Sequence, residues 1–446
     1  MASLEDLGRR LRDAALAAGA DAADVIVSEG RSASVGVAAG ALEEAESSEG
    51  IDVGLRVLAG RGQACVSSSD TRADTLAEMA ERAVVMARAA PEDPYVGLAD
   101  PTLLSEVRDA AGLDLLDPEP PASPARLEEM AMAAEAAALA IPGVVQVEQA
   151  SASSGADRLV VLLSNGFEGS YARSSASCAV SVIAGEGTGR ERDFAFEVRR
   201  HAADLPSPEE IGTRAGERTI ARLAPKRPPS GHFPVLYDER VAAGLIGHLL
   251  SASNGSAIAR GASWASDLLG DGVLPAGLSV TEMPHLPRGR ASRPFDAEGL
   301  RTRDRAIVDK GVLTGWVLDL ATARQLGLES TANARRGLSG PPSPGISNIQ
   351  VTQGALSREA LIAEMGTGLL VTNFLGASIN ATTGAYSRGA GGFWVEGGEI
   401  AYPVNEITIA GTLPEMLKTL VPANDADPHK SVSAPSMIVE GLTIGA

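Results

Sequence analysis

The histidines are the residues of this sequence with the clearest chemical potential, and their spacing excludes the common zinc motifs. They are His201, His232, His248, His285 and His429. None has another histidine three to five residues away, so the chain lacks a His-Glu-x-x-His helix, in which two imidazoles share one face and bind zinc. Only His248 lies in an apolar, helix-like run, VAAGLIGHLLS (241–251). It shares a face with Val241 and Leu245, which predicts a partly buried, hydrogen-bonded core histidine rather than a ligand.

Other standard catalytic patterns are also missing. The chain has no Gly-x-Ser-x-Gly elbow and no Gly-x-x-x-x-Gly-Lys phosphate loop. None of its lysines has a serine three residues earlier, which excludes a Ser-x-x-Lys pair. Cys65 and Cys178 are too far apart for a Cys-x-x-Cys pair and too few for a disulfide framework. We therefore predict that this chain holds no metal or other cofactor and works in a reducing cytoplasm.

Composition narrows the class of protein. A chain of 446 residues exceeds what one hydrophobic core usually supports, so two or three domains are expected. Hydrophobic residues make up 44% and charged residues 21%, which indicates a soluble globular protein. The net charge of −19 argues against binding to nucleic acid or to an anionic membrane. Glu5 and Asp6 stand where an export signal needs basic residues, so neither a signal peptide nor an anchor is expected.

The elements that must position any site fall into two regions. Ser3 and Asp6 form a capping box before a helix that ends near Gly19, and strands and helices then alternate as far as residue 228. This order predicts an N-terminal α+β domain, 1–228, built from mixed sheets and helices. Residues 91–124 are rich in proline, aspartate and leucine and predict a belt over its surface. The rest, 229–446, predicts a strand-rich C-terminal domain, with Gly397-Gly398 as its clearest hairpin turn.

Three further stretches carry candidate binding residues. Tyr386, Ser387 and Arg388 lie in TTGAYSRGAGG (382–392), which predicts a glycine-flanked loop that grips a peptide carboxylate or a partner, or else a tight turn with a surface ion pair. Trp394 follows Phe393, and strand alternation requires only one of the two to reach a partner surface.

The second stretch, 288–305, carries six arginines against Asp296, Glu298 and Asp304. This local basic patch predicts either a solvated loop or a contact with an acidic partner or substrate backbone. The third is the helix 241–251 itself, where Gly244, Gly247 and Ser251 favour close helix packing over the floor of a groove.

Ordered blocks along nearly the whole chain resemble one family. They include GLIGHLLSASNGSAIARGAS (244–263), SRPFDAEGLRTR (292–303), DKGVLTGWVLDLATARQLGL (309–328), the long run from GLLVTNFLGA to EITIAGTL (368–413) and APSMIVEGLTI (434–444). On these blocks the sequence is identified as a member of the TldD/PmbA family, and of its TldE (PmbA) branch, once called modulators of DNA gyrase.

The resemblance carries expectations about the site. In the TldD branch a His-Glu-x-x-x-His helix and a C-terminal cysteine hold zinc, whereas the TldE branch lacks those groups. Here Ala243 and Gly244 stand at the first two positions of that helix, and only His248 remains. The tail 421–430 has no cysteine, and Ala385 replaces the aspartate that usually precedes Tyr386. The resemblance thus implies a degenerate zinc helix and weakens any acid–base role for the Tyr386 stretch.

The expected function follows from that resemblance. It implies a metal-free, non-catalytic subunit that pairs with a TldD-like zinc peptidase as a heterodimer, with zinc in the partner, and helps to enclose and position unfolded or leader-type peptides. When alone, the chain could use the same surface for a homodimer. The alternative is a self-sufficient hydrolase with an unrecognised nucleophile. A DNA-binding or gyrase-binding regulator is disfavoured by the charge.

Overall fold

The structure, a computed structural model, describes residues 3–446. Its N-terminal part is one antiparallel sheet of six strands in the order β3-β2-β1-β4-β5-β6, with four helices. The strands are β1 Ala22–Ala38, β2 Ala41–Ala59, β3 Gly62–Ser68, β4 Val144–Leu163, β5 Glu168–Ala184 and β6 Glu191–Arg199. The helices are α1 Leu4–Ala17, α2 Ala73–Ala89, α3 Pro124–Leu139 and α4 Pro208–Ile220.

The helices cover one face of this sheet because alternate strand residues are apolar. Val25 and Val27 of β1 pack with α1 and α2, and Val35 and Val37 of the same strand pack with α3 and the sheet residues beneath α4. Residues of equal parity point to one face of a strand, so all four helices lie on the same side. The start of α1 is as predicted, since the Ser3 hydroxyl accepts the Asp6 amide at 3.1 Å.

The C-terminal part is rich in strands, which confirms the predicted α+β class with a strand-rich second region. Its main sheet has the order β16-β15-β14-β7-β19-β17, and β16 also pairs with β19, so the sheet closes on itself. These strands are β7 Gly231–Tyr237, β14 Gly368–Ile379, β15 Ala385–Glu396, β16 Glu399–Thr412, β17 Val421–Pro422 and β19 Met437–Gly445. Gly397 and Gly398 form the predicted hairpin turn between β15 and β16, both with positive φ.

Smaller elements surround the closed sheet. A second sheet has the order β10-β9-β8-β13-β18, and β11 pairs with β12. Its strands are β8 Val280–Glu282, β9 Arg305–Asp309, β10 Val312–Leu313, β13 Ile349–Val351 and β18 Val432–Ser433, with β11 Ala334–Arg335 and β12 Ser343–Pro344 apart. The helices are α5 Glu239–Ala252, α6 Gly255–Ala259, α7 Leu320–Leu326, α8 Arg358–Met365 and α9 Leu413–Lys418. No helix between residues 3 and 446 is long and apolar enough to cross a bilayer.

The two parts meet on the face of the N-terminal sheet that the helices leave uncovered. Ile26, Val161 and Phe167 of that face form one apolar cluster with Phe295 from the C-terminal part. The segment 91–124 has no strand and only a single 3₁₀ turn, and it is tied to the C-terminal part by backbone hydrogen bonds. One of these runs from the Ser105 amide to the Gly299 carbonyl at 2.8 Å.

A buried ion cluster joins the same two surfaces. Asp24 of β1 accepts the Arg56 Nε at 2.5 Å, and its other oxygen pairs with the Arg336 guanidinium from the C-terminal part. All three side chains are almost completely buried. A carboxylate removed from such a cluster leaves two buried guanidinium groups without their anion, which is costly in a medium of low polarity.

We expect Asp24→Ala to lower the free energy of unfolding by about 3–5 kcal/mol, the usual cost of leaving a buried ion pair half-empty. Urea unfolding followed by fluorescence measures this. Glu129→Ala is the control because its pair with Arg126 is solvent-exposed on both sides, and such pairs contribute at most about 1 kcal/mol. Equal losses for the two variants would contradict the role assigned to Asp24.

Candidate functional site

Helix α5 carries the candidate zinc positions and begins at a well-formed cap. The Asp238 side chain accepts the Arg240 amide at 3.1 Å, which satisfies one of the free amides of the first turn. Leu245, Ile246 and Leu249 are buried in the main core of the C-terminal part. The apolar periodicity therefore formed a helix where it was predicted, and the helix fixes the position of His248.

The other face of α5 is open, which corrects the prediction of close packing. No atom of the described residues outside the helix lies within 4 Å of a Cβ built at Gly244 or at Gly247. Ser251, one turn beyond Gly247, is exposed. The small residues on this face therefore leave it unpacked by any neighbouring element of the described residues.

His248 borders this open face and differs from its prediction in one respect. It is half-buried, but its Nε2 atom is buried and has no hydrogen-bond partner among residues 3–446, so the predicted hydrogen bond is wrong. Its ring meets the Tyr386 ring edge-on at a centroid distance of 5.9 Å. Burial lowers the pKa of His248, and the nearby Arg388 guanidinium lowers it further. The imidazole is accordingly neutral at pH 7.

Tyr386, Ser387 and Arg388 lie in a strand, and the prediction of a loop is wrong for them. They are the second to fourth residues of β15 and pair with β14 on one side and β16 on the other. The glycines that suggested a loop have a packing role: a Cβ at Gly389 would lie 2.3 Å from the Leu375 carbonyl oxygen. Strand pairing occupies the backbone amides, so a ligand must be bound by side chains here.

The polar side chains of Tyr237, His248, Tyr386 and Arg388 lie close together, and Gly244 is one helical turn before His248. We call these five residues the histidine groove. The Arg388 guanidinium stacks on the Phe374 ring at 3.8 Å and donates from Nε to the Gly376 carbonyl. The Tyr237 hydroxyl is buried without a hydrogen-bond partner among the described residues. Burial also raises the pKa of both tyrosines, so they stay protonated donors.

Sequence reasoning missed Tyr237 and Phe374. Tyr237 is the last residue of β7, directly before the cap of α5, and its ring lies 6.1 Å from that of Phe374. Tyrosine at a strand-to-helix junction was the available signal, since the chain has only five tyrosines. No sequence signal pointed to Phe374, because it lies in a largely apolar strand, β14, whose pattern indicates only a structural role.

The groove does not fit catalytic zinc. A catalytic zinc site needs three protein ligands and an open position. His248 is accompanied on α5 by Ala243 and Gly244, neither of which has a donor atom in its side chain. Among residues 3–446, no three His, Cys, Asp or Glu side chains come close enough together to hold a metal ion.

Trp394 is not available to a partner, which corrects another prediction. Its ring is 1% exposed and packs edge-on against Phe233 at 4.9 Å. Its Nε1 donates to the Glu396 carboxylate at 3.0 Å. Phe393 points to the opposite face and packs beside helix α8. Both aromatic rings therefore pack inside the fold, and of the candidate anchors only Tyr386 and Arg388 lie in the histidine groove.

The arginine-rich stretch 288–305 is solvated only in part: Arg301, Arg303 and Asp304 are exposed, whereas other members make internal ion pairs. Arg288 bridges Asp114 at 2.6 Å and Asp204 at 3.0 Å, so it ties the N-terminal part to the C-terminal part. Arg305 pairs with Glu282 at 3.0 Å and is largely buried. These arginines hold the chain's own segments together, which the sequence pattern did not show.

Two buried carboxyl groups lie in the same stretch. Both Asp296 oxygens accept backbone amides, including that of Ala334 at 3.1 Å. Burial and the neighbouring Asp296 charge raise the pKa of Glu298 to about 8. Glu298 accepts the Leu320 amide at 2.9 Å. At neutral pH Glu298 therefore holds its proton, and Asp296 carries the negative charge.

Comparison with known proteins agrees with this architecture. Three family models match in sequence order: PmbA/TldA metallopeptidase domain 1 over residues 23–87, the central domain over 117–223 and the C-terminal domain over 230–446. Metalloprotease PmbA of Escherichia coli O157:H7 is 38% identical over 95% of this chain and 92% of its own length. The Metalloprotease PmbA homolog of Haemophilus influenzae is 35% identical over the same shares.

Solved structures have the same fold. A Bacteroides thetaiotaomicron protein that carries the name modulator of DNA gyrase superposes with a TM-score of 0.92 at 27% identity, over 99% of this chain and 98% of the other. TldE from Thermococcus kodakarensis superposes with a TM-score of 0.86 over the full length of both, at 22% identity. The three domain matches and the fold thus define a PmbA/TldD metallopeptidase-like protein. The chain belongs to the PmbA/TldD family, in its PmbA (TldE) branch.

We expect Glu298→Gln to flatten the dependence of stability on pH. The folded state keeps the Glu298 proton at pH values where the unfolded chain has lost it, so the free energy of unfolding falls as pH rises from about 4.5 to about 8. One proton accounts for at most about 1.4 kcal/mol per pH unit. Glutamine keeps the acceptor for Leu320 but cannot ionise. Urea midpoints at several pH values test this, and an unchanged slope would show that Glu298 is not the titrating group.

Proposed function

We propose that this chain is the metal-free subunit of a PmbA/TldD metallopeptidase complex. It pairs with a TldD-like zinc peptidase subunit and helps to enclose and position unfolded or leader-type peptides, which the partner cleaves. The observation that supports the proposal is helix α5: it lies beside β15 and has Ala243 and Gly244 near a single histidine, His248. The family name metallopeptidase supports the peptide as substrate class.

The histidine groove supports binding rather than chemistry. Its open helix face leaves room for an extended chain above Gly244 and Gly247. The half-buried Arg388 guanidinium can hydrogen-bond a peptide carbonyl or carboxylate. The Tyr237 hydroxyl and His248 Nε2 are buried and Tyr386 is 3% exposed, so these groups lie behind Arg388. The neutral His248 imidazole is a possible base, but no set of metal ligands lies beside it among residues 3–446 to activate a water molecule. The groove therefore orients a peptide without hydrolysing it.

The alternative, a self-sufficient hydrolase, requires a nucleophile beside a base. The best pair in the structure is Thr302 and His285, whose Oγ1 and Nε2 atoms are 2.9 Å apart. The Thr302 hydroxyl, however, donates to the Arg293 carbonyl at 3.0 Å and is buried, so His285 must donate to it and cannot act as its base. Burial raises the pKa of both cysteine thiols, which disfavours a thiolate nucleophile.

The remaining assignments rest on charge and thiol content. The net charge of −19 favours a chain that does not bind nucleic acid or an anionic membrane. Cys65 and Cys178 are both free thiols, in keeping with a cytoplasmic protein. In the absence of the zinc-bearing subunit, we expect the same contact surface to support a homodimer.

The first test separates the subunit from the self-sufficient enzyme. The purified chain should hold no stoichiometric zinc and should not cleave an unfolded peptide, because His248 has no ligand partners. Adding a TldD-like subunit should restore cleavage. Elemental analysis and peptide cleavage, with and without that subunit, measure both points. One zinc per chain that is lost in His248→Ala, or full cleavage by the chain alone, would refute the proposal.

The second test fills the groove. Gly244→Gln should fold normally, since the added side chain meets no atom and glutamine favours a helix more than glycine does. It should lower kcat/KM of the complex about tenfold or more, because a peptide displaced by ~1 Å can lose ~100-fold in rate. Gly189→Gln is the control, since it also adds a side chain in open space but lies in the turn before β6 and not on α5. Equal activity of the two variants would exclude the groove as the peptide site.

A further inference from the structure

A cavity lies between the N-terminal sheet and the C-terminal part, and none of its lining residues belongs to the histidine groove. Its volume is about 370 Å³, within the range of sites for small ligands or for one or two peptide side chains. One wall is apolar and consists of Ile26, Leu159 and Val161 of the sheet together with Phe295. Arginine side chains make up much of the remaining lining, together with Tyr171, Ser292 and Asp296.

Five arginines line this cavity in a protein whose net charge is −19. They are Arg173, Arg290, Arg293, Arg335 and Arg336. Acidic partners offset only two of them: Arg173 pairs with Asp157 at 2.9 Å, and Arg336 pairs with Asp24. Burial lowers the pKa of Arg335, and the positive charge of the neighbouring Arg293 lowers it further. Five arginines against one lining carboxylate, that of Asp296, give the cavity an excess of positive charge, although Asp427 and Glu282 act on Arg290 and Arg335 from outside it.

Two of these side chains also hold buried donors with no acceptor. Arg293 donates from its Nη atoms to the carbonyls of Ala334 and Gly345, and its Nε has no partner among the described residues. The Arg336 side chain is 1% exposed, and its Nη2 likewise has none. A buried N–H without an acceptor costs free energy, so these two guanidinium groups are not fully satisfied by the described residues themselves.

One carboxyl group, that of Asp296, also lines the cavity. Its oxygens accept the backbone amides of Glu298, Leu300 and Ala334 at 2.9–3.1 Å. It is therefore committed to the turn that it stabilises and does not pair with the cavity's arginines. The cavity keeps a net positive charge even with Asp296 ionised.

We propose that this cavity binds a carboxylate group of a peptide, with the guanidinium groups of Arg290, Arg293 and Arg335 facing the carboxylate and the apolar wall covering the hydrocarbon stem. Planar guanidinium groups suit bidentate contact with a carboxylate. The apolar wall favours a glutamate or aspartate side chain over a bare inorganic anion, which has no stem to bury. The assignment of the carboxylate to a peptide rests on the proposed function, whereas the binding of a carboxylate does not.

The test uses the full chain without any partner subunit. Its probe is an eight-residue peptide with two central glutamates, an amidated C-terminus and a neutral fluorophore, compared with the same peptide carrying glutamines. Fluorescence anisotropy at low salt should show at least tenfold weaker binding of the glutamine peptide. The variant Arg290→Gln with Arg335→Gln should weaken binding of the glutamate peptide about tenfold, because it removes charge-assisted hydrogen bonds to the carboxylate.

Arg82→Gln is the matched control, because Arg82 is exposed on α2 and does not line the cavity. Thermal unfolding of every variant confirms that the fold is kept. Equal binding of both peptides, or equal loss in Arg82→Gln, would overturn the site. Displacement of the peptide by inorganic phosphate at equal or lower concentration would overturn the assignment to a peptide carboxylate. Because no cleavage is measured, the site can hold or fail independently of the proposed complex.

Discussion

The pairing of one buried carboxylate with two guanidinium groups holds the two parts of this protein in register. Asp24 lies on the face of the N-terminal sheet that the helices leave bare, and Arg336 reaches it from the C-terminal part. Charges cannot slide past each other in a medium of low polarity without a large penalty, so this contact fixes one relative position. The arginine-lined cavity lies directly beside it and inherits its shape from that position.

The same constraint separates two kinds of arginine that look alike in the sequence. Arg288 and Arg305 form ion pairs with aspartate and glutamate side chains of the same chain. Arg290 and Arg335 lie a few residues from such partners and face a cavity instead. The two kinds of arginine differ in whether the fold places a carboxylate next to the guanidinium group. The sequence around each arginine does not show this difference.

The sequence predicted the elements well and the surfaces poorly, and the reason is physical. Capping at Ser3, the apolar face of α5 and the turn at Gly397 depend on neighbours in the chain, so local patterns predict them. The glycines near Arg388 signalled a loop, yet they allow β14 to approach, which depends on a strand far along the chain. Burial of Trp394 and the open side of Gly244 likewise depend on tertiary packing.

The open side of helix α5 bears on how such proteins diverge. Selection for a stable fold acts on residues that pack, and no neighbour packs on Gly244 or Gly247. Substitutions there are nearly neutral for folding, so this face is free to gain or lose reactive side chains while the scaffold stays constant. Two descendants of one gene can thereby keep the same architecture and divide their labour, one retaining the chemistry and the other drifting toward recognition.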